Sequence, residues 1–128
     1  MSAELLAVVR EPTELGIVST QLRKAGIEVT GASTLLEAAL RQVDSPANVI
    51  VCDADDVDWR AALDTLRPLP GTADIIFLTG CGDERIWLDM LDAGACDLLQ
   101  KPYQPEDLRW VVCTALKRRR AAAQCRII

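Results

Sequence analysis

The chain has 128 residues, half of them apolar, and a formal net charge of −5, which suits one domain with a full core and argues against a general nucleic-acid binder. It has no histidine, and its five cysteines are never spaced as CxxC, which excludes Ser-His and Cys-His nucleophiles, histidine phosphocarriers and histidine or cysteine zinc sites. The scattered thiols read as small core residues of a reduced, cytoplasmic protein, with Cys125 expected at the surface.

Glu4 interrupts a short apolar start, so no signal peptide is read there, and no apolar run approaches the roughly 20 residues of a membrane span. Leu5–Val9 reads as a buried strand that stops at Arg10, Glu11 and Pro12. Thr13–Ala25 carries Leu15, Val18, Leu22 and Ala25 at helical spacing and ends at Gly26. Ile27–Thr30 is a short strand. Thr34 and Glu37 form a capping box for a helix to about Val43. Asn48–Cys52 is a continuous apolar run after Ser45-Pro46, the pattern of a strand buried on both faces. A helix over Trp59–Leu66 follows, and Pro68, Pro70 and Gly71 break the chain. Ile75–Leu78 is a buried strand, Glu84–Ala93 a helix ending at Gly94, and Cys96–Leu99 a short strand. Pro105 opens the last helix, lined by Leu108, Val111, Val112, Ala115 and Leu116.

Five strands alternating with five helices predict a parallel sheet covered on both faces. Ligands of such sheets bind beyond the carboxyl ends of the strands. The residues there are Arg10 and Glu11, Asp53, Thr79 and Lys101. A carboxylate can accept a phosphoryl group as an acyl phosphate. A lysine and a hydroxyl can then hold the phosphoryl oxygens, and neighbouring acids can hold a hard divalent cation.

"VIVCD", "IIFLTG" and "AGACDLLQKPYQPEDL" together resemble the receiver domain of two-component response regulators. The most specific pieces are Gly94-Ala95 followed at fixed spacing by Lys101-Pro102, and the order Asp, Thr, Lys on strands three, four and five. The resemblance covers residues 4 to 118 and implies a flavodoxin-like (βα)5 three-layer sandwich with a parallel five-stranded sheet of order 2-1-3-4-5. It implies a receiver over residues 1–120 with a tail over 121–128. Asp53 matches the phosphoacceptor, Thr79 the switch hydroxyl and Lys101 the lysine of the site. Glu11, Asp53 and the backbone carbonyl of Asp55 match the Mg²⁺ ligands. The implied partners are a sensor histidine kinase or phosphotransfer protein, and an output protein or second copy.

The sequence departs from the family in three places. Arg10 stands where the first acid of a pair is expected, Leu98 where an aromatic switch residue is expected, and "DADDVDW" lacks Met-Pro after the phosphoacceptor. Two acids, Glu11 and Asp53, would face two bases, Arg10 and Lys101. An inward Arg10 would therefore partly replace the metal, and Mg²⁺ binding would be weak or lost; an Arg10 pointing to solvent would leave Glu11, helped by Asp55 or Asp56, to recruit the metal. Trp110 falls opposite the apolar stripe of its helix. With Trp87 and Tyr103 it is expected on the helix 4–strand 5–helix 5 face, which receivers use for dimers and outputs. The basic run from Lys117 to Arg120 suits a helix C-terminus better than a nucleic-acid arm. No output domain is read after the last helix.

Two other readings compete. One is an interaction module that works without phosphorylation, favoured by Arg10 and Leu98. The other is an enzyme: "VIVCDADDV" also resembles the nucleophile motif of haloacid dehalogenase-type phosphatases. That motif ends the first strand of its core, whereas Asp53 follows the third strand, so no enzyme is expected.

Overall fold

The computed structural model describes residues 5–68 and 73–127, with residues 122–127 described by their backbone alone. Pro70, Gly71 and the thiol of Cys125 lie outside what is described. The elements are β1 (Leu5–Val8), α1 (Pro12–Lys24), β2 (Val29–Ala32), α2 (Leu35–Asp44), β3 (Val49–Asp53), α3 (Trp59–Leu66), β4 (Asp74–Thr79), α4 (Glu84–Asp92), β5 (Asp97–Gln100) and α5 (Pro105–Ile127). All strand pairs are parallel, and the sheet order is β2-β1-β3-β4-β5. This is the flavodoxin-like α/β architecture anticipated from the sequence.

The pleat sends alternate residues of each central strand to opposite faces. Leu6, Val8, Ile50, Cys52, Ile75 and Phe77 pack on one face with Ala62, Leu63, Leu66 and Met90 from α3 and α4. Leu5, Ala7, Val49, Val51, Ile76 and Leu78 pack on the other with Val18, Leu22, Leu108, Val112 and Leu116 from α1 and α5. Both faces of β1, β3 and β4 are thus covered by helices. That accounts for their unbroken apolar runs. Pairing of Val8 with Cys52 and of Cys52 with Phe77 brings the carboxyl ends of the strands to a common edge.

The helices start where local chemistry satisfies their free N–H groups. Glu11 caps α1, its carboxylate accepting from Thr13 N at 3.1 Å and Glu14 N at 2.8 Å, with Pro12 in the first turn. Thr34 Oγ1 accepts from Glu37 N at 3.1 Å, and Glu37 Oε1 returns to Ser33 N at 2.9 Å. The reciprocal bond of this cap therefore reaches one residue further back than in the usual capping box.

Gln42 is buried to 1% and closes the turn into β3, its amide donating to Ala47 O and accepting from Ala47 N, both at 2.9 Å. At the end of α4, Gly94 has φ +116°, and a Cβ there would collide with Arg67 Nη1. The missing side chain lets Arg67 cross this turn and donate to Ala93 O at 3.1 Å. α5 runs from Pro105 to Ile127, so the helix passes the expected tail boundary at residue 121 without interruption. No helix among the described residues is long and apolar enough to cross a membrane.

Candidate functional site

Asp53 ends β3 with 0% of its surface exposed, and both its oxygens are engaged. Oδ1 accepts the backbone N–H of Asp55 at 2.9 Å, and Oδ2 lies 2.8 Å from Lys101 Nζ. Lys101 follows β5, and its own N–H donates to Thr79 O at 2.8 Å, continuing the ladder beyond the strand. Its Nζ also meets Glu14 Oε1 at 3.2 Å and Asp55 Oδ2 at 3.2 Å. Burial acts to lower the lysine's pKa, but hydrogen bonding and charge from Asp53, with Glu14 and Asp55 adding to them, outweigh it and hold the ammonium above its ordinary range.

Thr79 ends β4, buried to 1%. Its hydroxyl donates to Asp55 Oδ1 at 3.2 Å and accepts from Cys81 N at 3.0 Å. The Asp55 carboxylate also takes the Gly80 N–H on both oxygens, each at 3.0 Å. Partial burial raises the Asp55 pKa, yet the bonds from Gly80, Lys101 and Thr79 bring it below the usual carboxylate value. The structure therefore brings Asp53, Thr79 and Lys101 together.

Arg10 and Glu11 are placed differently from the sequence-based charge balance. Arg10 is exposed and forms no ion pair with any described residue. The carboxylate of Glu11 is spent on the α1 cap, whose two N–H bonds lower its pKa. One turn later, Glu14 enters the site instead. Carboxylate oxygens of Glu14, Asp53 and Asp56 lie within 4.8 Å of one another. The carboxylates of Glu14, Asp53 and Asp55 thus meet one ammonium, and Asp56 lies close to the first two. The site is acidic rather than neutral, and its hard oxygen donors fit a divalent cation such as Mg²⁺. Sequence reasoning missed Glu14, and it held Asp55 and Asp56 only as helpers of Glu11. The clue for Glu14 was its three-residue spacing from Glu11, which places both on one side of the first turn.

A family model for the response regulator receiver domain matches residues 6–112, most of the chain and every strand end described above. The chain belongs to that family. Among curated proteins, the receiver is similar to the transcriptional regulatory protein KdpE of Mycobacterium tuberculosis, 30% identical over 122 residues that make up 94% of this chain and 54% of that protein. It is also similar to the tetrathionate response regulatory protein TtrR of Salmonella typhimurium, 34% identical over 88 residues, or 67% of this chain and 41% of that protein. The chain therefore spans about half or less of the length of these relatives. Among solved structures, a CheY-like receiver domain protein of Methanospirillum hungatei shares the fold with a TM-score of 0.84 at 22% identity, covering 95% of this chain and 99% of that one.

Of the three aromatic residues expected on the partner face, Trp87, Tyr103 and Trp110, Tyr103 is placed elsewhere. Trp110 is 67% exposed on α5. Trp87, on α4, is half-buried and donates its indole N–H to Cys81 O at 2.7 Å. Tyr103 lies instead in a groove with Glu14, Ile17, Gln21 and Pro102, and packs with the α1–α5 layer. The reason is the strand pleat: Leu98 points to the α4 side and Leu99 to the α5 side, and the chain then turns toward α1 at Lys101-Pro102. Burial, with lesser effects from Glu14 and Asp53, raises the Tyr103 pKa.

Proposed function

We propose that this receiver takes a phosphoryl group onto Asp53 from a sensor histidine kinase or phosphotransfer protein. The reading rests on a carboxylate with 0% exposure held between the Lys101 ammonium and a backbone N–H. An Asp53 oxygen attacks phosphorus, the bond from phosphorus to the donor breaks, and the donor leaves with that electron pair. Lys101 and the Thr79 hydroxyl then serve the phosphoryl oxygens. The protein is a phosphoryl acceptor rather than an enzyme with turnover, and it works in the cytoplasm, where such donors act.

Intact mass after incubation with acetyl phosphate and Mg²⁺ tests the assignment. One labile adduct of about 80 Da is expected on the wild type and none on Asp53→Ala. An unmodified wild type, or an adduct that persists in Asp53→Ala, would leave the phosphorylation-independent interaction module as the better reading.

Glu14, Asp53 and Asp56 are the residues that would hold Mg²⁺, which supplies positive charge to the phosphoryl oxygens when bound. The Asp55 carbonyl remains available as a further ligand. Arg10 weakens this binding through its charge at the mouth, but from solvent, where screening limits its effect. Arg10→Asp should tighten Mg²⁺ by a few-fold at low ionic strength, with the gain shrinking in high salt. Unchanged affinity by isothermal titration would remove Arg10 from the account.

The output leaves through α4, β5 and α5, where Leu88, Leu91 and Trp110 are exposed apolar groups. The partner is an output protein or a second copy; nucleic acid is disfavoured by the acidic net charge. Trp110→Ala should abolish phosphorylation-dependent self-association in analytical ultracentrifugation. Association as strong as in the wild type would exclude this face as a dimer interface.

A further inference from the structure

A phosphoryl group joined to Asp53 lies one bond beyond a carboxylate oxygen and needs hydrogen-bond donors for its own oxygens. Three donors stand at that place: Lys101 Nζ, the Thr79 hydroxyl and the Gly80 N–H. In this structure all three are bonded to one side chain, the carboxylate of Asp55. The Gly80 contact is two-pronged, with both oxygens at 3.0 Å. Position 80 lacks a Cβ, which would stand 3.2 Å from Asp55 Oδ2 and crowd this contact.

We propose that Asp55 is a tethered stand-in for the phosphoryl group, occupying its donor set in the unmodified receiver and leaving when Asp53 is phosphorylated. This deepens the reading of Asp53 as phosphoacceptor and rests on it. The ammonium, hydroxyl and amide that would recognise a phosphoryl dianion recognise a carboxylate by the same chemistry, through charge-assisted hydrogen bonds. The Asp55 side chain is 40% exposed, so it can withdraw into water without crossing the core. Asp53 itself stays anchored during the exchange, because its contact with Asp55 is to the backbone N–H and not to the carboxylate.

The arrangement has two consequences. An incoming phosphoryl group must displace an anion already in place, so its apparent affinity is reduced by the fraction of molecules in which Asp55 is docked. The Thr79 hydroxyl is also turned toward an anion before any phosphate arrives, so the unmodified protein holds the Thr79 side of the site as the modified one would.

Beryllofluoride, an analogue of the phosphoryl group, tests this in the intact chain with Mg²⁺ present. Asp55→Ala should bind it at least about tenfold more tightly than the wild type. In the ¹⁵N spectrum the Gly80 amide of the wild type should move little on binding, since one anionic acceptor replaces another. In Asp55→Ala that amide should start at a different position and move far. Asp56→Ala removes the same charge without touching these donors, but it also removes a residue that would hold Mg²⁺, so it should weaken the binding rather than strengthen it.

Equal affinity of wild type and Asp55→Ala, an equal gain in Asp56→Ala, or a Gly80 amide indifferent to Asp55→Ala would each overturn the proposal. The Gly80 position in the absence of beryllofluoride reads the docking of Asp55 alone. If neither protein binds beryllofluoride and acetyl phosphate leaves no adduct, the phosphoacceptor reading fails, and the displacement proposed here fails with it. An adduct on Asp53 together with a Gly80 amide insensitive to Asp55→Ala would overturn only the stand-in.

Discussion

Lys101→Met is expected to lower stability by about 2–4 kcal/mol at neutral pH, as read by urea denaturation. Removing one partner of a buried ion pair typically costs about 3–5 kcal/mol, because the other charge is left without compensation. Here the remaining charge is Asp53, with no exposed surface, while the lysine is 21% exposed, which moderates the figure. Methionine keeps most of the apolar stem, so the loss reports the ammonium rather than packing. Glu14 and Asp55 add to the effect, since the ammonium that separates them from Asp53 is gone.

The double variant Lys101→Met/Asp53→Asn should recover most of the loss, because it removes the uncompensated charge. The single variant should also slow phosphorylation by about a hundredfold, the effect of deleting one donor at a developing anion. A Lys101→Met protein as stable as the wild type would show that Asp53 does not depend on this pair.

The second large effect lies far from the site. Gln42→Leu should cost about 2–5 kcal/mol, because it strands the N–H and the C=O of Ala47 together, each unsatisfied buried group costing about 1–3 kcal/mol. Ala47 is only 2% exposed, so water cannot readily replace either bond. Leucine is close to glutamine in volume, which separates this loss from a cavity effect. The check is chemical denaturation together with amide exchange at Ala47, which should speed up in the variant. A cost below about 1 kcal/mol would mean that the turn relaxes to satisfy itself.

The parts of the fold that were legible in the sequence are those where burial is two-sided. "VIVCD" could be read as β3 because every residue of it is covered, and the strand order followed from the family resemblance rather than from the pattern. β2 was displaced: Ile27–Thr30 was expected, and Val29–Ala32 pairs with β1. Gly31 lies within the strand, paired with Ala7, and α1 approaches closely there; a Cβ would stand 3.1 Å from Leu15 Cδ2. An edge strand half-open to solvent offers no apolar run to correct that misreading.

The site was legible where a residue sits directly at a strand end, as Asp53, Thr79 and Lys101 do. It was not legible where a side chain reaches in from elsewhere. Glu14 belongs to a helix whose entry angle depends on the Glu11 cap, and Asp55 turns back on Gly80 only because that residue's N–H faces it. Neither direction is encoded in spacing alone. Arg10 illustrates the same limit, since a charge beside the site in sequence lies in solvent in space.

The indole of Trp87 holds the carbonyl of Cys81, whose N–H holds the hydroxyl oxygen of Thr79, which in turn holds Asp55. Leu98, at the position where receivers carry an aromatic switch, has no polar tip with which to join this chain. The hydrogen bonds from the Asp55 carboxylate to α4 therefore run through the backbone of one residue, Cys81, and an indole ring. An exchange of the anion that Thr79 faces would reach the first turn of α4 through these bonds, with no ring required to swing between core and solvent. These bonds offer a short linkage in place of a moving aromatic side chain, and the indole N–H is its natural gauge.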